Sequence, residues 1–227
     1  MHREGAMSEP KKPLKTFTRS GRLASIFSVG PKLVNQHIAR LCVLFEDLRV
    51  EIQGIAADDL GSLDEVGFKL RQLYFLRRSI CTLVEFAEAL RLLQACTALS
   101  ELREKLDAER SWVRAVRFFY KRELFLKQVR HDVGGHFGSQ AARFAVENLL
   151  PSATGTIEVA FYSAKGGGAK LTFASEIAAT ALLRHLSGRT SEGKVRHLVR
   201  LCVVAYRHAV RAVDCITVLY LWNRFGR

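Results

Sequence analysis

LDEVGFKLRQLYFLRRSICTLVEFAEALRLLQAC, Leu63 to Cys96, decides how the rest of the chain is read. Val66, Leu70, Leu73, Leu76, Ile80, Leu83, Ala87, Leu90 and Leu93 follow one another at steps of three and four. That spacing lays a single apolar stripe along an α-helix; a strand would alternate every second residue. The same pattern recurs on both sides. Upstream, Val34, Ile38, Leu41, Phe45, Leu48 and Ile52 mark a helix from about Pro31 to Gln53, with Pro31 suited to a first helical position. The segment GIAADDLGSLDEVG connects the two. Downstream, Leu102, Leu106, Val113, Val116, Tyr120 and Leu124 predict a third helix from about Leu99 to Val129. Long amphipathic helices with short connections pair as antiparallel hairpins.

Further along, Ser139 to Leu150 reads as a shorter helix closed by Pro151. TIEVAFYS alternates and is rich in β-formers, KGGGAK is a turn, and LTF is a short return strand. Ser175 to Leu186 is helical in pattern, with Gly188 after it. A last helix from about Glu192 to Asn223 carries Val195, Leu198, Cys202, Tyr206, Ala209, Val213, Ile216 and Tyr220 on one face. No repeat of 20 to 50 residues stands out. The expected architecture is mainly α: an antiparallel helical bundle with a small β-hairpin insert near residues 156–174. It forms one domain over residues 31–227, behind a basic flexible arm at residues 1–30. Lys11, Lys12, Lys15, Arg19 and Arg22 in that arm either contact nucleic acid or act as a solubilising tail, and the tail is the preferred reading.

The charge is lopsided. Thirty-five basic against 22 acidic residues give a net charge of +13, which points to an anionic partner, nucleic acid before a membrane surface. The N-terminal MHREGAMSEPKKPLK has no apolar core, so no secretory leader is expected. Leu198 to Trp222, the most apolar region, is interrupted by Arg200, Arg207, His208, Arg211 and Asp214, which argues against a membrane span. A cytoplasmic protein is expected. Cys42, Cys81, Cys96, Cys202 and Cys215 are odd in number and form no C-x-x-C pair. They read as small apolar residues of a reducing compartment, with no zinc site and no disulfide framework. No cofactor or metal is expected.

Two stretches carry chemistry. VAFYSAKGGGAKLTFASEIAATAL resembles the deviant Walker A segment of ParA/MinD-type ATPases through Lys165, Gly166, Gly167, Lys170 and Thr172. Ala169 replaces the glycine that lets backbone approach phosphates, Leu171 replaces the hydroxyl that binds Mg²⁺, and the remaining chain is helical in pattern. A glycine-rich turn between two short strands is the preferred reading.

The other stretch is VRHDVGGHFG, Val129 to Gly138. Arg130 is followed by five residues and then His136, with the polar His131 directly after the arginine. This resembles the signature of the HEPN superfamily, an arginine and a histidine with four to six residues between them that open a late helix of an all-α bundle. The resemblance implies a homodimer that joins two motifs, and metal-independent RNA cleavage leaving a 2′,3′-cyclic phosphate and a 5′-hydroxyl. It further implies a place in bacterial antiviral defence or a toxin–antitoxin system, with an inhibitory or activating protein partner. Arg130 would hold the scissile phosphate, His136 would be the main acid–base group, and His131 would position substrate. Other members of the superfamily keep the fold and only bind nucleotides or nucleic acid, so a non-catalytic binding or assembly subunit is the alternative.

The residue chemistry is compatible with that role. Histidine exchanges protons near neutral pH, and arginine stays charged and binds phosphate oxygens in pairs. Residues six apart on an unbroken helix point about 240° apart, so Arg130 and His136 converge only if the chain breaks at Gly134–Gly135 or two subunits meet. Asp132 either orients a histidine or caps the helix. His131, Asp132 and His136 lack the spacing of a helical metal pair. Arg110, Arg114, Arg117 and Lys121 recur at helical steps before the motif. They form one basic stripe that either tracks a phosphate backbone or is a solvated face.

Overall fold

The computed structural model describes residues 22–57, 65–96, 100–133, 139–149, 157–160, 168–171, 173–184, 186, 191–222 and 224. They are mainly helical. In chain order the elements are α1 (Leu23–Ser28), α2 (Lys32–Ala56), α3 (Glu65–Ala95), α4 (Ser100–Ala108) and α5 (Arg110–Val133). Then come α6 (Ser139–Glu147), β1 (Ile157–Ala160), β2 (Gly168–Leu171), α7 (Phe173–Leu182) and α8 (Ser191–Ile216), which runs into a π-helical turn at Thr217–Leu221.

Four long helices close a ring in which each neighbour runs antiparallel to the next. Arg40 of α2 pairs with Glu85 and Glu88 of α3, while at the other end of the pair Gln72 donates to the Ile55 carbonyl. Gln94 of α3 accepts from the Trp112 indole near the start of α5, and Glu85 meets Arg130 near its end. Between α5 and α8, Ser111 lies 3.7 Å from Cys215, and the rings of Phe118 and His208 stack 4.4 Å apart. Phe45 of α2 stacks on Tyr206 of α8 at 5.8 Å, completing the ring.

The stripes read from the sequence form the core. Val34, Ile38, Leu41 and Leu48 of α2, Leu76, Ile80, Leu83, Leu90 and Leu93 of α3, and Leu198, Cys202, Ala209, Val213 and Ile216 of α8 are all buried. Among the cysteines, Cys96, Cys202 and Cys215 are buried, while Cys42 and Cys81 are half-buried. α6 packs on α7, and α7 packs on α3 and α5. β1 and β2 pair antiparallel with Ile157 opposite Leu171 and Ala160 opposite Gly168. The glycine-rich residues 165–167 between them lie outside the described residues.

Three differences from the expected elements have physical causes. The expected third helix is two helices, broken at Glu109. The break turns the buried face of α5 by one residue, from Val113, Val116, Tyr120 and Leu124 to Trp112, Ala115, Phe119, Leu126 and Val129. Tyr120 and Leu124 are instead 76% and 79% exposed. The bulk of Trp112 and Phe119 decides the register: both rings are buried, and Phe119 packs on Phe86 of α3. Secondly, the arm expected over residues 1–30 is structured at its end, where α1 puts Ile26 into the core. Thirdly, the last helix loosens into the π turn, and Trp222 N–H closes it on Thr217 O.

Asn35 fastens α1 to the C-terminal end. Its amide donates to the carbonyls of Phe27 and Val29, and its oxygen accepts from Tyr220 and Arg224. Every polar valence of this buried side chain is used.

Candidate nucleic-acid interface

α5 positions most of the candidate residues. Arg110, Arg114, Arg117 and Lys121 are all exposed, and none has an ion pair among the described residues. Steps of four and three keep them on one face. The same steps continue through Leu124 and Gln128 to His131, all exposed. The exposed face therefore runs the whole helix to His131, with its cations in the half from Arg110 to Lys121 and the uncharged Leu124 and Gln128 beyond them.

Arg130 points elsewhere. Its position lies roughly 170° around the helix from the centre of the stripe. Its guanidinium turns toward α3, 3.1 Å from Glu85 Oε1. Glu85 gives its other oxygen to Arg40, which also reaches Glu88 at 3.2 Å. Two cations and two carboxylates thus tie α2, α3 and α5 together at one end of the bundle. All four side chains keep about a third or more of their surface in water, so the network positions groups more than it stabilises the fold. Because Arg130 uses one edge on Glu85, its other N–H groups remain able to meet an anion.

Arg130, His131 and Asp132 sit in the last turn of α5, so the helix continues through the front of the motif. The side chain of Asp132 and the whole of residues 134–138, including Gly134, Gly135 and His136, lie outside the described residues. Of the expected set, Arg130 and His131 are brought to the same helix end, and the exposed face reaches His131 while Arg130 is turned to the opposite side.

Sequence reading passed over Glu85, Glu88 and Arg40. A signal was present: LVEFAEAL sets two glutamates three residues apart inside an apolar run, where an unpaired charge is costly. It also passed over Glu51. This side chain is buried against Thr82, whose hydroxyl donates to it at 2.9 Å, with Arg78 3.8 Å away and the second carboxylate oxygen unpartnered. Burial pushes its pKa up to about 6, and Asp47 adds to the rise, against the pull of Thr82 and Arg78. Burial also pushes the Cys202 thiol up to about 12.

Among the described residues, no group of three or more His, Cys, Asp or Glu side chains could hold a metal ion. Nor is any described helix long and apolar enough to cross a membrane. Comparison with family models, with curated proteins and with solved structures finds no significant match to this chain.

Proposed function

We propose that this protein is a metal-independent endoribonuclease of HEPN type that works as a homodimer, in a bacterial defence or toxin–antitoxin setting. The observation that carries the reading is the unpaired basic face of α5, Arg110 to Lys121, on the helix whose last turn bears Arg130 and His131, with His131 on that same exposed face. Such a face supplies the salt-dependent, sequence-independent attraction that any RNA ligand needs. In this reading Arg130, held at a fixed angle by Glu85, stabilises the negative charge that builds on the scissile phosphate. His136 takes the proton of the 2′-hydroxyl or returns one to the leaving 5′-oxygen, and His131 positions the chain. Attack of the 2′-oxygen breaks the phosphorus–oxygen bond to the 5′-oxygen and leaves a 2′,3′-cyclic phosphate. A second protomer would supply the opposite acid–base group.

One observation favours a second reading, a non-catalytic helical nucleic-acid-binding or assembly subunit. The ion pair of Arg130 with Glu85 is also a tie between α3 and α5, and a structural tie needs no chemistry. Cleavage of RNA in the presence of EDTA by the wild-type chain, His136→Ala and Arg130→Ala separates the two. A cyclic phosphate end, lost in both folded variants, is the expected result. RNA binding without cleavage, equal in all three, would transfer the assignment to the binding subunit.

A further inference from the structure

We infer that the seam between α5 and α8 is a second nucleic-acid contact, a groove that stacks a base of single-stranded RNA on its aromatic floor and holds the flanking phosphates on Arg122 and Arg200; this rests on RNA being the ligand. The groove has a volume of about 400 Å³ and is lined by Phe118, Arg122 and Phe125 from α5 and His197, Arg200 and Leu201 from α8. That is the size of a small-ligand cleft. Neither arginine has an ion pair among the described residues, and no carboxylate lines the groove there.

The floor is built, not incidental. Phe118 stacks on the imidazole of His208 with 17° between the rings, and Phe125 continues the same face two turns further along α5. Burial, helped by Arg211, lowers the pKa of His208, so the stack carries no charge of its own near neutral pH. The walls are cationic on both sides. Lys121 and Arg114 of the exposed stripe stand beside it on α5, and Arg200, Arg207 and Arg211 are exposed along α8. Half-buried phenyl rings between two basic ridges match a ligand that alternates flat bases with phosphates. An acidic protein surface would use the arginines and leave the rings without a purpose.

The test is fluorescence anisotropy with labelled 2′-O-methyl oligouridine, which lacks the attacking hydroxyl, beside a matched 2′-O-methyl duplex. Phe125→Leu keeps apolar bulk but removes the aromatic face, and circular dichroism checks the fold of each variant. It should weaken single-strand binding roughly tenfold and leave the duplex unchanged. Arg122→Gln and Arg200→Gln should each weaken single-strand binding roughly fivefold and flatten its salt dependence by about 0.7 in log–log slope. Tight binding by the wild type that none of the three changes alters would overturn the groove and leave the RNA reading standing. No binding of either probe by the wild type would overturn both. Displacement of the probe by polyglutamate as readily as by unlabelled oligouridine would reassign the groove to an acidic protein partner.

Discussion

The two carboxylate oxygens of Glu85 are divided between two arginines: Oε1 faces Arg130 at 3.1 Å, and Oε2 takes Arg40. The pairing fixes where the guanidinium of the proposed RNA-cleavage motif points, from a helix the motif itself does not contain. Glu85→Gln should therefore act on chemistry more than on stability. The side chains are about a third to a half exposed, so chemical denaturation should show a loss of about 1 kcal/mol or less. Cleavage should fall on the order of tenfold because Arg130 is no longer aimed. RNA affinity should hold or rise, since Arg130 loses its counter-charge while Arg40 keeps Glu88. Unchanged cleavage in a folded variant would make the pair a tie between helices and nothing more.

The basic face of α5 makes a different kind of prediction. Arg114 and Arg117 have no ion pair among the described residues, so their removal costs the fold little. The double change Arg114→Gln, Arg117→Gln should weaken binding to all single-stranded RNAs alike and reduce the log–log salt slope by about 1.4. Titrations over a range of salt concentrations read this directly. A sequence-dependent loss would mean that these residues contact bases.

How much of this was legible is clearest in α5. The helix and its exposed cations follow from spacing alone. Its buried side did not, because two apolar stripes a residue apart compete there. One holds Val113, Val116, Tyr120 and Leu124; the other holds Trp112, Ala115, Phe119 and Leu126. Only the break at Glu109 and the fit of Trp112 and Phe119 against α3 choose between them. The direction of Arg130 was hidden for the same reason, since it depends on that register and on Glu85, distant in sequence. α2 and α8, whose stripes have no rival, were legible along their buried faces, though not the π turn that follows α8.

Glu51 gives the fold a pH dependence. Its folded pKa of about 6 stands above the ordinary carboxylate value near 4.5. Its favourable, protonated form is therefore fully present below about pH 4.5, and that contribution is lost as pH rises through about 6. The shift corresponds to about 2 kcal/mol. Relative to Glu51→Gln, whose side chain does not titrate, the wild type should lose about that much stability between pH 4.5 and pH 7.5. Urea denaturation of both proteins at the two pH values measures the change in their difference, from which every other titrating group cancels. A difference that stays constant with pH would show the carboxylate to be solvated.

Asn35 joins segments nearly the whole chain apart, and that tie is testable as a network. Tyr220 donates to its side-chain oxygen at 2.8 Å, and its own amide reaches the carbonyl of Phe27 at 2.8 Å. Asn35→Ala leaves half-buried hydrogen-bond partners unmatched and should cost about 2 kcal/mol. Tyr220→Phe removes one donor, keeps the ring under Arg224, and should cost about 1 kcal/mol. Because Asn35→Ala already removes the acceptor, the two losses should not add. The double variant should be less destabilised than the sum by about 1 kcal/mol. Additive losses in urea denaturation would mean that the Tyr220 hydroxyl contributes independently of Asn35, and that α1 is held to the C-terminal end by Arg224, which reaches Val29 O at 2.6 Å.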